Sequence, residues 1–105
     1  MKEISVQDLK ARMDAGTAPR VIDVREGWEF ENDHVTETNI PMGEVPTRLD
    51  EVGQKDEELV ICCRSGGRSG NITMFLEAQG YTNVSNLVGG MLAWKANIDP
   101  GFNVQ

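Results

Sequence analysis

Leu59-Val60-Ile61-Cys62-Cys63-Arg64-Ser65-Gly66-Gly67-Arg68-Ser69 reads as a strand that runs through a glycine-rich turn toward a helix. Leu59 to Cys62 shows no polar alternation, the pattern of a central parallel strand covered on both faces. Arg64-Ser65-Gly66-Gly67 breaks the strand, and Ile72, Phe75, Leu76 and Gln79 then mark a helix that stops at Gly80.

Working outward, the same alternation of short apolar strands and amphipathic helices recurs. Ser5-Val6-Gln7-Asp8 has capping-box spacing with Asp in the third place, and Val6, Leu9 and Met13 follow at helical intervals before Gly16. Val21-Ile22-Asp23-Val24 reads as a buried strand with one polar interruption. Glu26 to Glu31 is a short helix, and Asn39-Ile40-Pro41 is a brief strand closed by Pro41. Residues 44–52 read as a helix entered through Pro46, Val84 to Leu87 as a last strand, and Met91 to Lys95 as a final helical turn after Gly89-Gly90. Strands alternating with helices imply crossover connections and a mostly parallel α/β sheet. Ligands of such sheets bind beyond the carboxyl ends of the strands, where Asp23-Val24-Arg25 and Cys63-Arg64 fall.

The 105 residues suit one domain, 1–105, of ordinary soluble composition. Residues 1–60 carry 7 Lys/Arg against 15 Asp/Glu, and residues 61–105 carry 3 against 2, within a net charge of −7. Such an acidic chain is not built for nucleic acid, whose binding needs basic patches. The longest apolar run, Leu59 to Cys63, is far short of the ~20 residues of a membrane span. With no apolar leader in the first residues, a cytoplasmic protein is expected. The two cysteines are adjacent, so they staple nothing distant, and a single histidine, His34, leaves no zinc-like ligand spacing. Two of the late cations, Arg64 and Arg68, share the glycine-rich turn and point to a local anion site. The plainer reading of such charges is a solvated surface.

The turn after Cys63 is chemically specific. Gly66 and Gly67 let the backbone aim successive N–H groups inward as an anion nest. The following helix adds partial positive charge at its N-terminus. Arg64 and Arg68 bring full charges in fork geometry suited to oxyanions. A thiol in that setting ionises more readily than an ordinary cysteine, and the thiolate is the nucleophile. Cys62 still belongs to the apolar strand, points to the opposite face and reads as a structural residue.

These segments are similar to the single-domain rhodaneses of the sulfurtransferase family. The matching residues are Val21-Ile22-Asp23-Val24-Arg25-Glu26, Trp28-Glu29-Phe30, His34-Val35, Asn39-Ile40-Pro41, Cys63 to Ser69, Phe75-Leu76, Gly80-Tyr81, Asn83-Val84 and Gly89-Gly90-Met91-Leu92-Ala93-Trp94. The resemblance implies a five-stranded, mainly parallel α/β sheet with helices on both faces. It implies transfer of a sulfane sulfur from thiosulfate or a persulfide donor to cyanide or a thiol, through a persulfide on Cys63. Arg64, Ser65, Gly66, Gly67, Arg68 and Ser69 would bind the substrate, and no metal or organic cofactor is implied. The partners are then small sulfur donors and acceptors, with a protein thiol as a further acceptor. The stretch Asn32-Asp33-His34-Val35-Thr36-Glu37-Thr38 lacks the family's usual turn glycines and proline and is more acidic, which bears on donor preference.

Other residues divide between roles. Asp23, inside an apolar strand, needs a partner. Arg25 and Arg68 are the candidates, as support for the Cys63 loop, and a local cap for the Glu26 helix is the alternative. Arg25 reads as structural. His34 reads as a structural histidine and not a general base, since a low-pKa thiolate needs none, and Trp28 and Trp94 read as packing groups. Two rival functions remain. A cysteine phosphatase or arsenate reductase would count five residues between Cys62 and Arg68, but Ile61 stands where such loops carry a histidine, and the loop counted from Cys63 has only four. A non-catalytic binding module of the same fold would typically lack the cysteine.

Overall fold

Leu59, Ile61 and Cys63 face one side of the sheet and Val60 and Cys62 the other, and this alternation divides the interior in two. The computed structural model describes residues 1–105. Its elements are β1 (Lys2–Ile4), α1 (Val6–Asp14), β2 (Arg20–Asp23), α2 (Gly27–Phe30), a 3-10 helix (Met42–Thr47), α3 (Leu49–Val52), β3 (Leu59–Cys62), α4 (Gly67–Ala78), β4 (Val84–Leu87) and α5 (Gly90–Asn97). The strands lie in the order β1-β4-β3-β2, all parallel. β3 is therefore central, which explains its four consecutive buried residues.

One core joins Ile22, Leu59, Ile61 and Cys63 to Ile72 and Leu76 of α4, to Val45 of the 3-10 helix and to Val52 of α3. The other joins Val21, Val60 and Cys62 to Val6 and Leu9 of α1 and to Met91 and Trp94 of α5. Helices thus cover both faces, as the alternating pattern requires. Ser5 caps α1 by accepting the Asp8 amide at 3.0 Å. No helix is long and apolar enough to cross a membrane.

The sheet has four strands where five were expected. Asn39-Ile40-Pro41 makes a single bridge, Asp23 to Asn39. Pro41 has no N–H to extend a ladder. Asn39 instead uses its side-chain amide, donating to the carbonyls of Asp23 and Arg25 at 3.0 and 2.9 Å. β1 went unread because Lys2 and Glu3 are exposed on a sheet edge and carry no apolar pattern. The helix read over residues 44–52 is two pieces. Pro46 lies inside the 3-10 helix, and Arg48 at φ −126° separates it from α3. Trp94 packs as expected at 6% exposure, but Trp28 is 63% exposed and packs in neither core.

Candidate active site

β3 ends by delivering Cys63 beneath the turn that opens α4. Gly66 makes the turn at φ +103°, a left-handed conformation that glycine adopts freely. The turn aims donors at the sulfur. Cys63 Sγ accepts the Gly66 amide at 3.1 Å and the Ser69 amide at 3.4 Å, and the Ser69 hydroxyl stands 3.3 Å away.

The loop's carbonyls are held on the other side by α5. The Met91 amide donates to the Cys63 carbonyl at 2.9 Å and the Leu92 amide to the Arg64 carbonyl at 3.0 Å. Gly90 makes that approach possible. A Cβ at Gly90 would lie 2.3 Å from the Cys63 carbonyl oxygen and 2.7 Å from that of Arg64, at φ +56°. We expect Gly90→Ala to destabilise the fold by about 1–3 kcal/mol through backbone strain and to slow Cys63 alkylation by displacing the turn. Denaturant melts and alkylation rates check this, and unchanged values for both would mean α5 does not shape the loop.

Electrostatics separate the two cysteines. Burial pushes the Cys63 thiol up, but donation from the Ser69 hydroxyl and from the Ser69, Gly66 and Ser65 amides outweighs it. The net effect holds the Cys63 thiol below the ordinary cysteine range. The N-terminal dipole of the 12-residue α4 acts in the same direction. Cys62 is fully buried without such donors, and burial, with the nearby Asp23 charge, pushes its thiol well up.

The remaining predicted residues are placed unequally. Ser69 and Gly66 touch the sulfur, while Arg64, Ser65 and Gly67 are exposed at the rim. Arg64 Nε donates to the Gln105 main-chain oxygen and pairs with no side-chain carboxylate. Arg68 is held bidentately by Glu29 at 2.7 and 2.9 Å. Glu29 was not singled out from the sequence. It is 3% exposed, accepts the Glu26 amide at 3.1 Å as part of a capping box, and is held below the usual glutamate range chiefly by Arg68. The repeated Glu26-x-x-Glu29 spacing was its available signal.

Asp23 pairs with Arg25, not Arg68. Both are fully buried, with contacts of 2.7 to 3.0 Å. Asp23 Oδ1 accepts the Arg25 amide rather than capping the Glu26 helix. Arg25 donates onward to the Asp33 carbonyl at 2.9 Å, so this pair braces the segment from Asp33 to Asn39. It reaches the Cys63 loop only indirectly, through the field of Arg25 on Glu29. His34 stacks on Phe30 at 3.9 Å, and its Nδ1 is 2.7 Å from the Phe30 carbonyl, a structural arrangement. Asn86 is the other residue not foreseen. It is 5% exposed and bonds both Ser69 and the Gly66 carbonyl. A polar residue inside the short apolar strand Val84–Leu87 was the signal, since burial there demands a partner.

The parallel α/β sheet thus holds the Cys63 thiol in a cradle of amides at a strand-to-helix turn. The chain belongs to the rhodanese-like domain family, whose family model matches residues 5–97. It is 39% identical over 101 residues to a putative sulfurtransferase, YtwF, of Bacillus subtilis (strain 168), covering 95% of this chain and 96% of that protein. It is 35% identical over 95 residues to a sulfurtransferase of Allochromatium vinosum, covering 90% and 88%. The crystal structure of a rhodanese-like domain protein from Staphylococcus aureus superposes with a TM-score of 0.84 at 31% identity, over 100% of this chain and 99% of that one.

Proposed function

We propose that this protein is a sulfurtransferase that carries a sulfane sulfur as a persulfide on Cys63. The observation that carries the reading is the contrast between adjacent thiols: Cys63 receives the Gly66 and Ser69 amides, and Cys62 is sealed in the opposite core. Membership of the rhodanese-like family and relatives named as sulfurtransferases support it.

In the first half-reaction the Cys63 thiolate attacks the outer sulfur of thiosulfate or of a persulfide donor. A bond forms between Sγ and that sulfur, the donor's sulfur bond breaks, and sulfite or a thiolate leaves with its electron pair. In the second, cyanide or a thiolate attacks the carried sulfur, the Sγ–S bond breaks, and Cys63 returns as thiolate. Arg64, exposed at the rim and paired with no side-chain carboxylate, is the cation for an anionic donor, while Arg68 orders the loop through Glu29. The phosphatase spacing counted from Cys62 is disfavoured, because that thiol is fully buried in the opposite core and burial pushes its pKa well up.

The thiolate is the reactive form, so sulfur loading should rise with pH and level off below the ordinary cysteine range, following the lowered Cys63 value. Burst loading by thiosulfate measured against pH checks this, and a profile still rising through the ordinary thiol range would contradict it. Arg64→Ala should weaken thiosulfate use by about 10- to 150-fold, the worth of one charge-assisted contact. Steady-state kinetics with thiosulfate and with glutathione persulfide test the assignment. Unchanged kinetics with both would make Arg64 a surface group.

A further inference from the structure

The Ser69 hydroxyl stands between two acceptors with one proton to give. Its oxygen lies 3.3 Å from Cys63 Sγ and 2.6 Å from Asn86 Oδ1. Ser69 is fully buried and Asn86 is 5% exposed, so the choice is made within the protein. Asn86 is not free to turn. Its Nδ2 donates to the Gly66 carbonyl at 3.1 Å, which keeps Oδ1 toward Ser69. Gly70 of α4 lets the amide lie close, since a Cβ there would stand 3.3 Å from Nδ2.

The sulfur changes as an acceptor through the cycle proposed above, and the inference rests on that persulfide reading. A thiolate is a strong, charged acceptor. A thiol, or the inner sulfur of a persulfide, is a weak one. We propose that Asn86 is a positioning residue that holds the Ser69 hydroxyl while Cys63 is a thiol or a persulfide and yields it to Sγ when the thiolate forms. On discharge, the acceptor's electron pair bonds to the outer sulfur, the Sγ–S bond breaks, and its pair stays on Sγ. The Ser69 O–H then turns from Asn86 Oδ1 to Sγ and stays covalently intact, so no proton is transferred.

The charged and titratable neighbours of the sulfur are Arg68 on α4, the Glu29 carboxylate on α2 that holds it, Arg64 on the rim and the Cys62 thiol on β3. β4, which carries Asn86, has no charged residue, so replacing Asn86 with an apolar residue changes no charge.

The test is the pH profile of Cys63 alkylation in the full chain, read by mass spectrometry, for Ser69→Ala, Asn86→Leu and the double variant. Ser69→Ala should raise the midpoint, because the thiolate loses its hydroxyl donor. Asn86→Leu should lower it, because the hydroxyl has no other acceptor. In the Ser69→Ala background, Asn86→Leu should leave the midpoint unmoved, as expected of a residue acting through Ser69. Discharge of the preloaded persulfide to cyanide should slow by about 10- to 150-fold in Ser69→Ala. A raised midpoint in Asn86→Leu, or a shift that persists without the Ser69 hydroxyl, would overturn the proposal and leave Asn86 a loop brace. If circular dichroism shows Asn86→Leu unfolded, Asn86→Ala is read with the same expected signs. Alkylation does not depend on sulfur loading. Failure of the persulfide reading therefore appears separately, as unmodified protein that gains no sulfur from thiosulfate or glutathione persulfide.

Discussion

Cys63→Ser should reduce sulfur transfer to the uncatalysed background, a loss on the order of 10⁴-fold or more for removal of a nucleophile. A serine hydroxyl in the same cradle does not ionise near neutral pH and forms no persulfide. Cys62→Ser should act differently. It places a hydroxyl in a fully buried apolar site at a cost of about 1–3 kcal/mol, while leaving the donors around Cys63 in place. The pair of variants, assayed for thiocyanate formation and for urea stability, separates nucleophile from packing group. Retained turnover in Cys63→Ser would sink the mechanism. If the role in cells survives Cys63→Ser while turnover is lost, the domain works as a binding module and its thiol chemistry is incidental.

The second large effect is on stability. Asp23→Ala should destabilise the fold by about 3–5 kcal/mol, since it leaves the fully buried Arg25 guanidinium without its carboxylate. For a domain of this size that is a large share of the ~5–15 kcal/mol available, and Tm should fall by more than about 10 °C. The lost bracing falls on the Asp33–Asn39 segment, which Arg25 and Asn39 tie to the end of β2. Thermal melts of Asp23→Ala and of the apolar double variant Asp23→Leu/Arg25→Leu decide the cause. The double variant should recover part of the loss, because no unpaired charge remains buried. A small effect of Asp23→Ala alone would mean that water reaches Arg25.

The elements that a local pattern specifies were legible in advance. β3 is central because Leu59 to Cys62 must be covered on both faces, and the turn after it needs Gly66 at its positive φ. Ser5 announced α1 through its cap. What escaped depends on partners distant in the chain. The Asn39 segment has strand-like residues, yet Pro41 and the Asn39 side chain reduce it to one bridge. Trp28 reads as a core residue from its type, but α2 turns it to solvent so that Glu29 can face inward to Arg68. Glu29 and Asn86 each complete the Cys63 loop from another element, at separations of 39 and 17 residues from their partners. No periodicity encodes such pairs. The capping-box spacing from Glu26 was the trace Glu29 left, and a buried polar residue in an apolar strand was that of Asn86; for Asp23 the same kind of trace admitted two arginines, of which the fold chose the nearer.

The most direct measurement is the intact mass of the protein after incubation with thiosulfate, with Cys63→Ser alongside and a cyanide chase afterward. The account predicts a gain of the mass of one sulfur atom, absent in Cys63→Ser and reversed by cyanide. A gain that persists in Cys63→Ser, or no gain with either thiosulfate or glutathione persulfide, would contradict it.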